Sequence, residues 1–319
     1  MKITNLSLLF VIIMCSIVLT LDIKMNNVQA ITSKQIAYKQ ALDSAVDDAV
    51  LSLVEVDSTR ELFINKESCL EKFYQSLYAN FGILNDKVMQ EKMKAYIPVM
   101  LVTGEDGYYL YYSLTRKVNG TTEIVRQWSE KRPYVLIEDN LIINFTFDNY
   151  ITIYDMNKLE LLQGNYMDLS SVYPMCEVLR DKNRFDEGRR TTILNHILDD
   201  MNYFINQHNR IAEHFGITYH FSLPSIDREE WYRTIDDIGF FVLFQGYPYG
   251  FNTNDVFNQF SYAGARIRKS DCYYISTDVD GKSYYHKETC SKSINHEYPY
   301  YSKKECALRG AYPCSQCNP

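Results

Sequence analysis

The residues best placed to do chemistry lie at the end of the chain. His286 and Cys290 are spaced H-x3-C, Cys314 and Cys317 are spaced C-x2-C, and 23 residues separate the two pairs. Imidazole and thiolate are the donors that Zn2+ takes, four at a time, at the corners of a tetrahedron. A close pair supplies one edge of that tetrahedron from a single turn, so two pairs complete it. Four protein ligands leave no position for water or substrate, so the predicted site is structural and stabilises a tail too small to fold alone. The chain has eight cysteines, and Cys290, Cys306, Cys314 and Cys317 fall in its last 30 residues. Such clustering points to a metal site and away from a disulfide framework spread along the chain. The competing expectation is a disulfide between Cys314 and Cys317 in an oxidising exterior. His296 is the substitute for His286, Cys272 is expected outside the site, and Cys306 is expected to be a small buried core residue.

The tail text YHKETC, followed by YYSKKECALRGAYPCSQCNP, resembles the Ada-type metal-binding module and the small zinc tails of secreted bacterial proteins. The likeness covers about 40 residues and is most specific in the closing G-x-x-P-C-x-x-C-x-P. It implies a zinc-stabilised fold. Where the Ada module has its alkyl-accepting cysteine, this chain has His286, and an imidazole cannot take that role. The resemblance therefore argues against alkyl transfer.

Elsewhere the candidates are weaker. His208, His214 and His220 are spaced by six, a poor same-face spacing on a helix. His208 lies on an apolar stripe and is expected to be a satisfied core histidine. Asp199-Asp200, Glu229-Glu230 and Asp236-Asp237 are adjacent carboxylates, which point apart on a helix and form no ready acid/base pair. The sequence has no Walker loop, G-x-S-x-G, H-E-x-x-H or G-x-G-x-x-G. No catalytic residue, small-molecule substrate or organic cofactor is predicted. The formal net charge of −7 disfavours nucleic acid as a partner of the whole chain. Lys282, Lys287, Lys292, Lys303, Lys304 and Arg309 make the tail locally basic, and are expected to form a solvated face.

The elements that hold these residues begin with an apolar segment. Leu8 to Leu21 carries no charge. Counting from Ile3 to Ile23 brings the run to the ~20 residues that a membrane helix needs. The expectation is an anchor over 1–24, with the alternative of a secretory signal cleaved after Ala30. Either one sends the remainder outside the cytoplasm, given Lys2 at the start. Residues 25–59 hold a predicted stalk helix. Ala37, Ala41, Ala45, Ala49 and Leu53 recur along one stripe, which is expected to pack on the chain's own domain. Residues 60–270 are predicted to form an α+β domain, with an antiparallel sheet and flanking helices, and 271–319 a zinc-binding tail.

Helices are expected over 67–81, 86–96, 187–215 and 227–233, and over Ser302 to Arg309 with Gly310 closing it. An antiparallel meander is expected from Val99 to Tyr154, with turns at Gly104–Gly107 and Asn119-Gly120. Ile217 to Ser222 and Ile238 to Gln245 read as later strands, and Tyr262 to Ser270 as a last strand or a link. The 27 tyrosines suit half-buried strands. An anchor running into an amphipathic helix is similar in layout to pilin-related envelope proteins, without a pilin processing motif. These features together predict a structural or interaction protein of a bacterial envelope, such as a component of a pilus or secretion assembly. The alternatives are a binding module for nucleic acid or wall polymer, and a secreted hydrolase.

Overall fold

The computed structural model describes residues 3–56, 62–118, 120–214, 216–234, 237–248, 256–265, 273–278, 281–287, 290, 292, 300 and 303–317. The chain is α+β and divides into two compact units, Met1–Ala265 and Arg266–Pro319.

Helix α1 runs without a break from Ile3 to Val50. Nothing interrupts it because residues 3–50 contain neither Gly nor Pro. From Phe10 to Val28 its apolar side chains are exposed, with Phe10, Leu19 and Leu21 each at least 60% exposed. The hydroxyls of Ser16 and Thr20 turn back to Ile12 O and Ser16 O of the same helix. That leaves the segment without an unmet side-chain hydroxyl toward its surroundings. At the other end Leu42, Ala45, Val46 and Ala49 are fully buried, the expected stripe packed on the chain's own domain.

The short hairpin β1 (Val54–Val56) and β2 (Leu62–Ile64) leads to α2 (Lys66–Asn80) and α3 (Lys87–Lys94). Asn65 and Asp86 cap these two helices by accepting from the Ser68 and Met89 amides, each at 3.0 Å. Then come β3 (Val99–Gly104), β4 (Gly107–Val118), β5 (Thr121–Trp128), β6 (Tyr134–Glu138), β7 (Leu141–Phe145), β8 (Tyr150–Asp155) and β9 (Glu160–Asn165). Helices α4 (Tyr166–Val172), α5 (Lys182–His214) and α6 (Arg228–Thr234) follow, then β10 (Gly239–Pro248) and β11 (Val256–Gly264). The second unit holds β12 (Tyr273–Thr277), β13 (Ser283–Lys287), α7 (Lys303–Leu308) and β14 (Tyr312–Pro313).

The expected meander is split between two antiparallel sheets. One has the order β11-β10-β3-β4-β5 and the other β6-β7-β8-β9. Pairing past β5 is reduced to the Tyr108–Arg132 bridge. Pro133 follows it and has no N–H to continue a ladder. The turn between β3 and β4 is tighter than a four-residue loop, because Gly104 and Gly107 are themselves paired.

Strand β10 carries the most apolar run, and both of its faces are covered. Phe240 and Phe244 meet Phe73 and Phe81 of the α2 region, while Phe241 and Leu243 join the core beneath α5. A strand buried on both faces reads as a continuous apolar run, not as an alternation. Its pairing with β11 slips at Gly246, whose φ of +76° is open to glycine and costly for other residues. Helix α5 buries Phe185, Ile193, Ile197, Met201, Phe204 and Ile205 against the two sheets. It begins at Lys182, earlier than expected, because Asp181 accepts from the Arg184 amide at 2.9 Å.

Residues 217–222 do not form the expected strand. Their backbone is paired by side-chain amides instead. Asn209 brackets Phe221 with bonds of 2.7 and 2.8 Å, and Gln245 brackets Ser222 with bonds of 2.8 and 3.1 Å. Asn119, Phe215, Asp236, Arg266, Arg268, Lys269, Cys272 and His296, with the side chains of Glu230 and Lys304, lie outside the described residues.

Candidate metal centre

The second unit is small, and its scaffold explains how its ligands meet. Strands β12 and β13 form a hairpin in which Tyr274 faces His286 and Ser276 faces Tyr284. Strand β14 adds alongside β13 in parallel. Tyr273, Tyr285, Cys306 and Ala311 make a private core, with Ile275 and Tyr300 against it. Cys306 is fully buried there, apart from the other thiols. Helix α7 ends in a Schellman motif. Ala311 N–H reaches Cys306 O at 3.1 Å, Gly310 N–H reaches Ala307 O at 2.9 Å, and Gly310 has φ +78°. This reversal sends the chain back as β14 and delivers Cys314 next to the hairpin. The Cys314 amide then bonds Tyr285 O at 3.1 Å.

The structure brings His286, Cys290, Cys314 and Cys317 together, with their ligand atoms all within 4.8 Å of one another. His286, Cys290 and Cys314 are buried and Cys317 is partly so. His286 Nδ1 lies 3.4 Å from Cys290 Sγ. A tetrahedron with metal–ligand bonds of ~2.0–2.3 Å has edges of about 3.5–3.8 Å, so the donor set is compatible with one metal ion.

Two further contacts prepare the donors. Ser276 Oγ is 2.7 Å from His286 Nε2, the nitrogen turned away from the thiols. When Nε2 carries the proton and donates it to Ser276, the Nδ1 lone pair is free for a metal. Ser276 donates its own hydrogen to Lys292 O at 3.4 Å. Burial, helped by the charge of Lys292, pushes the His286 pKa down and favours the neutral ring that a metal needs. The Gln316 amide lies 3.4 Å from Cys314 Sγ. Burial opposes the thiolate at Cys314, but the backbone N–H groups of Cys317 and Gln316, together with the thiols of Cys317 and Cys290, outweigh it and hold that thiol below its usual pKa.

Ser276 and the Gln316 amide are the functional groups that sequence reasoning missed. The register of the hairpin places Ser276 diagonally across from His286, and the sequence reading gave the tail a helix but no strands.

Other candidates go to structural roles. His208 is 3% exposed, bonds Ala95 O through Nε2 at 2.9 Å and meets the Phe221 ring edge-on. Asp200 accepts from Tyr108 Oη and, at 2.7 Å, from Arg132. His220 lines an open groove below the end of α5 with Asn209, Arg210 and Glu213. Compared with known protein families, curated proteins and solved structures, the chain matches none of them.

Proposed function

We propose that this chain is a membrane-anchored, non-enzymatic interaction protein of the bacterial cell envelope, facing outside the cytoplasm and ending in a structural zinc module of the Ada type. The observation that carries the reading is the single helix α1, with apolar side chains bare over residues 10–28 and domain core over residues 42–50. One end suits lipid and the other is built into the domain, so the helix ties a folded body to a bilayer. The residues from Ile3 to Ile23 span about 30 Å, the thickness of a hydrocarbon core. The tail adds a site whose four donors come from protein, a set that closes the coordination sphere.

The test uses the full chain, expressed in bacteria and fractionated. Expected are retention in the membrane fraction after alkaline wash and one zinc per purified chain. Cys314→Ser with Cys317→Ser should abolish the zinc. Ser276→Ala should keep the metal but weaken it ~10–100-fold in chelator competition, the usual cost of losing an outer-shell partner. A chain released into the soluble fraction would overturn the anchor. A metal-free chain with Cys314 joined to Cys317 would overturn the zinc module.

A further inference from the structure

Helix α1 carries a second apolar pattern, and its part past Ile23 is covered neither by a bilayer over residues 3–23 nor by the chain's own domain. Met14, Val18, Leu21, Met25, Val28 and Thr32 are spaced 4-3-4-3-4, the alternation of a heptad seam. Met25 is 69% and Val28 63% exposed. Thr32 donates its hydroxyl to Val28 O at 2.9 Å, which leaves its methyl group for packing. At 100° per residue the seam lies about a quarter-turn from the face that Leu42, Ala45, Val46 and Ala49 bury, so the domain does not reach it. Asp22 and Lys24, the only charges between Ile3 and Ser33, flank the seam and do not interrupt it.

We propose that this seam pairs with the same seam of a second copy, forming a parallel two-helix coil that starts in the bilayer and continues beyond it to Thr32. The proposal rests on reading residues 3–23 as the span. Lipid then accounts for Met14, Val18 and Leu21 but not for Met25, Val28 and Thr32, which lie past Ile23. Over residues 10–23 apolar side chains are exposed all round the helix, but past Ile23 Met25, Val28 and Thr32 are flanked by Asn26, Asn27 and Gln29, a stripe that suits one neighbouring helix. The anchor supplies the choice of partner. Two copies inserted in one membrane are parallel and at equal depth, so their seams meet in register without any further device. Such an interface is two-fold and closes on itself.

The experiment is cysteine crosslinking of the full chain in its membrane, in a Cys15→Ser background. Single cysteines are placed on the seam (Met25→Cys, Val28→Cys) and off it (Asn27→Cys, Ala30→Cys), and treated with a short thiol-specific bifunctional reagent. The background chain controls for the zinc-site thiols. Seam positions should give covalent dimer in several-fold higher yield than off-seam positions. Equal yields at all four positions, or no dimer at any, would overturn the pairing while membrane retention leaves the anchor intact. An intact mass showing that the chain starts after Ala30 would overturn both.

Discussion

His286 is engaged at both ring nitrogens, one toward the thiols and one on Ser276. His208 is the contrasting case, a core histidine bonded to Ala95 O through Nε2 and, against the expectation of a satisfied ring, with its buried Nδ1 unpartnered. Burial drives its pKa down from 6.5 to about 4, against the bond to Ala95 O and with help from the nearby Arg126 charge. The folded state therefore binds this proton less readily than the unfolded state. Stability from His208 is fully present above pH ~6.5 and is lost as pH falls toward 4, a change of roughly 3 kcal/mol at the order-of-magnitude level. Urea melts of the chain between pH 7 and pH 4 should show this slope, and His208→Gln should flatten it. An unchanged slope in the variant would assign acid sensitivity elsewhere. The four donors were legible from spacing, because a close Cys or His pair is a local feature of the chain. Ser276 was not, since its place beside His286 depends on a strand pairing that no local pattern announces.

At the scale of elements, the reversal after α7 decides whether Cys314 reaches the hairpin at all. Gly310 sits in the left-handed region, and a Cβ added there meets none of the described residues within 4 Å, so the cost of a side chain is that of the backbone alone. Gly310→Ala should cost about 1 kcal/mol. The loss should appear as a lower midpoint for tail unfolding, read by zinc release on heating, with α5 amides unaffected. A midpoint equal to the parent's would show that the Schellman reversal does not limit the tail. The longer helices were readable because periodicity is written locally, as along α5, whereas the seven-residue α4, capped by Asn165, was missed. The sheet was less so. Pro133 stands where the meander divides, a signal the sequence reading did not use, and the bridge at Arg132 shows that two sheets result. Residues 217–222 have a strand-like pattern, but the amides of Asn209 and Gln245 replace the neighbour that a strand requires. Strand β9 escaped because Glu160-Leu-Leu-Gln-Gly-Asn has no alternation or β-branching, and it follows Leu159 at φ +54°.

Across the whole molecule, the two units differ in what keeps them folded. The first has a large core that joins both sheets and α5, from Val99 and Leu101 to Phe241 and Leu243. Among its described residues the second has one core cluster, of Tyr273, Tyr285, Cys306 and Ala311, far too small to offset the entropy of ordering its strands and helix. On the proposed function, metal ligation by His286, Cys290, Cys314 and Cys317 supplies the difference, and it acts only where the ligands are. Chelation of the full chain should therefore melt one unit and spare the other. Hydrogen exchange should show residues 273–287 and 303–317 losing protection after a strong chelator, with β10 and α5 unchanged, and zinc should restore the original pattern. Protection that survives complete metal removal would mean that the aromatic cluster around Tyr273 and Tyr285 suffices. Loss of protection in both units would mean that the first core depends on the tail.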